Sequence, residues 1–171
     1  ADLAINANLT GTGALTISTV GASSTTMGFG DTMAGTLNLT NVELGRIVNG
    51  FSGITLGSTS ATGTLNLGAY TWNDHLSVAT NTGAITVHGA QTMTTGNNLT
   101  FSTNADLTIN ANLNGSATST LTIAGAAAAT TMGVGSGQSG TLSRYRAWIH
   151  PERLDKPDFW RHRRNRRNEC R

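Results

Sequence analysis

One stretch of this chain is written twice. Residues 1–9 read ADLAINANL and residues 105–113 read ADLTINANL, identical at eight of nine positions. The echo continues with TTMGFG at 25–30 and TTMGVG at 130–135, then with Ala-Gly-Thr-Leu at 34–37 and Ser-Gly-Thr-Leu at 139–142. The offset is 104 residues for the first block and 105 for the later ones, which places one inserted residue in a turn. A period this long, with shorter Gly-Thr-Leu echoes inside it, marks a repeat architecture. In such a chain each unit buries its apolar face only by stacking on a neighbour.

Inside the repeat the apolar residues alternate. Triplets such as Leu3-Ala4-Ile5, Leu15-Thr16-Ile17, Leu37-Asn38-Leu39, Ile54-Thr55-Leu56 and Leu65-Asn66-Leu67 recur, followed by Leu76-Ser77-Val78 and Ile85-Thr86-Val87. Leu99-Thr100-Phe101, Leu107-Thr108-Ile109 and Leu121-Thr122-Ile123 complete the series. Period-two alternation puts the aliphatics on one face and Thr, Ser or Asn on the other, which is a half-buried strand. Gly, Asn and Ser fill the gaps, as turns require. Strands of about three to five residues are short for a sandwich but suit a wound sheet. The fold class expected is all-β: a β-solenoid, of the right-handed parallel β-helix variety, with a short irregular basic tail. Coils of about 21 residues would give five per repeat and seven over residues 1–143, a rod of roughly 33 Å at the spacing of paired strands.

Two places depart from alternation. Residues 41–50, NVELGRIVNG, space Leu44, Ile47 and Val48 helically. They read as a helical turn or a loop that tucks Leu44 and Ile47 against the coil, with Gly45 weakening the helix. The alanine run at 126–129 aligns with Gly21-Ala22-Ser23-Ser24, so it is expected to be a tight corner.

Composition divides the chain at about Ser143. Of eleven Lys and Arg residues only Arg46 precedes position 144, against five acids there, so residues 1–143 are acidic and residues 144–171 strongly basic. Both prolines and the single cysteine, Cys170, lie in the second part, which excludes a disulfide within the chain. No run of about 18 apolar residues marks a transmembrane segment, and no basic start followed by an apolar stretch marks a signal peptide.

The Gly-Thr-Leu-Asn-Leu units at 35–39 and 63–67, the Asn-Val-Glu-Leu-Gly-Arg-Ile segment at 41–47, and the Gly-Ile-Thr-Leu-Gly and Gly-Ala-Ile-Thr-Val strands carry a resemblance. Residues 1–143 resemble the repeat-rich passengers of secreted bacterial adhesins, the filamentous haemagglutinin-like and autotransporter types. The resemblance implies a stalk or adhesive surface at the cell exterior that meets host-cell or surface glycans and proteins. It also implies export through an outer-membrane translocator, for which a cysteine-free body is suited.

The residues offer little catalytic chemistry. Trp72, Asp74 and His75, with His88 thirteen residues on, are the nearest approach to a site. A hydrolytic reading pairs Asp74 with a histidine and recruits a Ser or Thr nucleophile. The reading preferred is an exposed turn at 72–75, with these four residues as candidates for surface contact. No spacing points to a metal or cofactor. The calcium repeat is argued against by Asp31, which becomes Ser136 in the second copy. A polysaccharide-degrading enzyme would need cations that residues 1–143 lack. Ice binding would need a regular Thr-x-Thr face, and none is evident from the linear sequence. The tail cluster of Arg161, Arg163, Arg164, Arg166 and Arg167 beside Trp160 would contact nucleic acid if it is native. The repeat breaks off in mid-strand at Arg144, which favours a frame-shifted or foreign end.

Overall fold

The computed structural model describes residues 3–127 and the strands Gly133–Val134 and Thr141–Ser143. The basic tail at 144–171, with its five candidate arginines, lies outside the described residues, as does the end of the alanine run at 128–129. In chain order the elements are β1 (Ala14–Ile17), β2 (Met27–Phe29), β3 (Leu37–Leu39), α1 (Asn41–Leu44), β4 (Gly53–Gly57), β5 (Leu65–Leu67), β6 (Tyr70–Trp72) and β7 (Leu76–Ala79). There follow β8 (Ile85–Val87), β9 (Gln91–Met93), β10 (Leu99–Ser102), β11 (Leu107–Ile109), β12 (Leu113–Asn114), β13 (Leu121–Ala124), β14 (Gly133–Val134) and β15 (Thr141–Ser143).

These strands form three sheets. The first has the order β1-β4-β7-β10-β13, the second β14-β15-β11-β8-β5-β2-β3, and the third β12-β9-β6. Every named strand pairing among the described residues is parallel. From β4 onward the chain visits the sheets in rotation, and one circuit brings it back beside its starting strand. Ile54 pairs with Leu76, Leu76 with Leu99, and Leu65 with Ile85, so each circuit closes after nearly the same length of chain. The architecture is mostly β, parallel and solenoid-like.

Register turns the alternation into columns. Leu15, Ile54, Leu76, Leu99 and Leu121 stack in one inward column of the first sheet, and Ile17, Leu56, Val78, Phe101 and Ile123 in the other. The second sheet stacks Met27, Leu65, Ile85 and Leu107 beside Phe29, Leu67, Val87 and Ile109. Met27, Leu56, Leu65, Ile85 and Phe101 are fully buried. A parallel strand with one face in the core and one in water keeps its aliphatics in register only if each circuit preserves the pleat, which is why the spacing is so even. Corners are tied by side chains. The Thr80 hydroxyl donates to Ala61 O and Gly63 O at 3.0 Å, and the Thr103 hydroxyl one circuit later to Gly83 O at 2.9 Å. Asn104 Nδ2 donates to Asn81 Oδ1 at 2.7 Å.

The first sheet is five strands deep rather than seven, because one circuit is enlarged. Ala14 pairs with Gly53, well beyond the chain length of an ordinary circuit, and β3 and α1 lie in the stretch of chain between them without adding a strand to the first sheet. β3 lies beside β2 (Met27 opposite Leu37), separated from it by a short hook. Gly28 sits under that hook: a Cβ there would lie 2.8 Å from Met33 O, so only glycine lets the loop close over the strand. β13 repeats the Leu-Thr-Ile of β1 four steps along the sheet, so one repeat winds four circuits and not five.

The segment read as a helical turn is α1. Leu44 is buried at 1 % exposure and Ile47 at 9 %, against the coil as expected. A capping box starts it. The Glu43 amide donates to Thr40 Oγ1 at 3.3 Å, and Glu43 Oε2 accepts from the Thr40 amide at 2.8 Å. The Thr40 backbone bond, then its hydroxyl, hold the Glu43 carboxyl below its ordinary value of 4.5. A lowered folded value means the cap is fully present above that ordinary value and is lost as pH falls through the folded one. Titration followed by NMR should therefore place the Glu43 midpoint below 4.5, with the Thr40 amide shifting in step and β-core amides unmoved. A Glu43 midpoint at or above 4.5 would count against the capping box.

Candidate functional site

The outward residues of the first sheet form a column of their own. Thr16, Thr55, Ser77, Thr100 and Thr122 are register partners from strand to strand, so five hydroxyls follow one line along the winding axis. Adjacent hydroxyls are separated by about 4.8 Å, the distance between paired strands. Beside it runs a second line: Ala14, Gly53, His75, Asn98 and Thr120, by extension of the same register. The linear sequence suggested no regular hydroxyl face, and alignment by strand register shows a single column, flanked by mixed residues.

Those flanking side chains are held by the next circuit. The Asn98 amide donates to His75 Nδ1 at 2.9 Å, and the Thr120 amide donates to Asn98 Oδ1 at 2.8 Å. An accepting Nδ1 places the ring proton of the exposed His75 on Nε2. Gly53 contributes no side chain, and a trough of about 290 Å³ opens over it, bordered by Thr55, His75, Ser77, Asn98 and Thr100. The trough offers hydroxyl donors and acceptors, an imidazole N–H and an amide, with no formal charge among them. Such a set suits a neutral hydroxyl-bearing ligand held by hydrogen bonds.

The four residues singled out from sequence separate. His75 is exposed and borders the trough. His88 is exposed too, but follows β8 on the second sheet, with Nε2 3.1 Å from Asn66 Oδ1. Trp72 and Asp74, expected at the surface, are instead 2 % and 5 % exposed. The reason is pairing. Trp72 is the inward residue of β6, stacks over Met93, and donates Nε1–H to Gln91 Oε1 at 2.9 Å. Tyr70 meets its ring edge-on at 4.7 Å, and burial pushes the Tyr70 phenol pKa up. Gln91, with no exposed surface, passes its own amide hydrogens to Gly68 O and Gly89 O, the latter at 2.9 Å. Asp74 accepts from the Gly50 amide at 3.1 Å and so closes the loop that follows α1. Both are structural side chains rather than contact residues. Among the described residues no group of three or more His, Cys, Asp or Glu could hold a metal ion.

Sequence reasoning missed Asn98 and the hydroxyl column. The signal was available: the middle residue of the triplets at 15–17, 54–56, 76–78, 99–101 and 121–123 is Thr or Ser every time. No protein-family model, curated protein or solved structure matches this chain.

Proposed function

We propose that this chain is a right-handed parallel β-helix serving as a non-enzymatic, structural or adhesive segment of a secreted or surface-exposed bacterial protein. The handedness follows from the strong preference of parallel strand crossovers for the right-handed path. The observation that supports adhesion is the hydroxyl column with its uncharged trough at Gly53, His75 and Asn98. A neutral glycan lying along the axis would meet a hydrogen-bonding group at every circuit. The acidic body argues against an anionic glycan as partner. The resemblance to adhesin passengers adds the setting: a cell-surface location, an outer-membrane translocator, and host glycans or proteins as partners. The competing reading is a glycan-cleaving solenoid.

The full chain on a glycan array, with a reducing-sugar assay run on every glycan retained, separates these. Neutral glycans should be held without release of reducing ends. Thr100→Val, which keeps the shape of the column but removes a hydroxyl at its centre, should weaken retention roughly tenfold, the worth of about one net hydrogen bond. Release of reducing ends from any polysaccharide would overturn the adhesive reading. Binding confined to acidic glycans or nucleic acid, and untouched by Thr100→Val, would move the contact to the basic tail.

A further inference from the structure

The two copies of ADLxINANL have nearly the same sequence and different surroundings. In the second copy Leu107 is 2 % exposed and Leu113 9 %, while in the first their counterparts Leu3 and Leu9 are 37 % and 36 % exposed. Between them, Ile5 and Ile109 are alike at 7 % and 6 %. The difference has a visible cause. Leu107 lies under Ile85 of β8, and Leu113 under Gln91 of β9. Leu3 and Leu9 face the open end of the winding, where no described strand covers them.

The edges match as well as the leucines. β1 is the last strand of the first sheet, while its repeat counterpart β13 is paired with β10. β3 is the last strand of the second sheet, while its counterpart β15 lies between β14 and β11, with Leu142 opposite Leu107. Carried back one repeat, that register sets Leu3 opposite Leu37. The segment is already held nearby: Arg46 Nη1 donates to Ile5 O, and Leu9 bridges in parallel to Ile47.

We infer that the face formed by residues 3–9 and the free edge of β1 is a docking surface for a second copy of the repeat unit, residues 1–104. Its β8, β9 and β10 would cover Leu3–Ile5, Leu9 and β1 as they cover their counterparts at 107–109, 113 and 121–124. The occupant is specified by the chain itself, since β8–β10 already fit this surface once. A peptide junction from Asn104 to Ala1 would reproduce the existing Asn104–Ala105 junction residue for residue. On docking, Leu3-Ala4-Ile5 becomes a strand between the incoming β8 and β3, so the winding continues without a seam.

The test places residues 1–104 ahead of residue 1 of the full chain. Amide exchange of the internal 3–9 segment should slow roughly tenfold or more relative to the same segment in the unextended chain, approaching the rate at 107–113. The extended chain should also unfold in one transition. Leu3→Asn and Leu9→Asn should leave the midpoint of the unextended chain unchanged. Placed in the internal copy, they should lower it as much as Leu107→Asn and Leu113→Asn do. Two separate transitions, an internal segment that exchanges as at a free end, substitutions equally silent in both settings, or an extended chain that does not fold would each overturn the inference.

Discussion

Phe101→Ala should lower the stability of the chain by about 3–5 kcal/mol, the usual result of emptying a fully enclosed aromatic site. Phe101 has no exposed surface and stands in a column between Val78 before it and Ile123 after it. Its neighbours are fixed by parallel ladders on both sides, so they cannot close over the gap without breaking register. For an ordinary domain of about 5–15 kcal/mol that loss is a fifth or more of the total stability. Equilibrium denaturation should show a lower midpoint with little change in slope, because the surface exposed on unfolding is nearly the same. Phe101→Leu should cost less, since Leu99 and Leu121 show that leucine suits such columns. A loss under about 1 kcal/mol for Phe101→Ala would mean that the stacked interior is not tightly packed.

The second large effect concerns a residue with no side chain. At Gly83 an added Cβ would lie 1.9 Å from Gly63 O and 2.5 Å from Gly63 C, both backbone atoms of the preceding circuit. Successive corners touch there, and the Thr80 hydroxyl ties them together by donating to Gly63 O at 3.0 Å. Gly83→Ala should cost about 3 kcal/mol or more, the upper range for forcing atoms into a filled site. Gly13→Ala is the matched control, because nothing lies within 4 Å of a Cβ built there. That change should be neutral or raise stability by about 0.4–1 kcal/mol through a less disordered unfolded chain. Thermal melts should therefore drop for Gly83→Ala and hold or rise for Gly13→Ala. A Gly83→Ala protein as stable as the parent would show that the corners are not in contact.

Most of the winding was legible because its strands obey a simple alternation. Nine of the ten triplets named from sequence lie in strands; Leu3–Ile5 is the exception, being the segment with an uncovered edge. The third sheet was not legible. β6 is Tyr-Thr-Trp, β9 is Gln-Thr-Met and β12 has two residues, so no aliphatic pair marks them. Gln91 points inward because Trp72, Gly68 and Gly89 satisfy its amide, an arrangement that exists only after the circuits have stacked. The same holds for the burial of Trp72 and Asp74. The repeat length in circuits was overestimated because residues 30–52 look like ordinary coil composition yet add no strand to the first sheet. The hydroxyl column was hidden for a different reason. Its members are separated in the chain by a whole circuit or more, and only the strand register shows that they form one line.

That enlarged circuit has a consequence for how such a rod can be furnished. Ala14 and Gly53 lie side by side across a far longer run of chain than Ile54 and Leu76 do. Contour and height are therefore uncoupled: a decoration can grow sideways out of one storey while the floors above and below keep their spacing. Between β2 and β4 the scaffold already carries β3, an added rung of the second sheet, and the turn of α1, while the first sheet takes no strand from that stretch and keeps its even ladder.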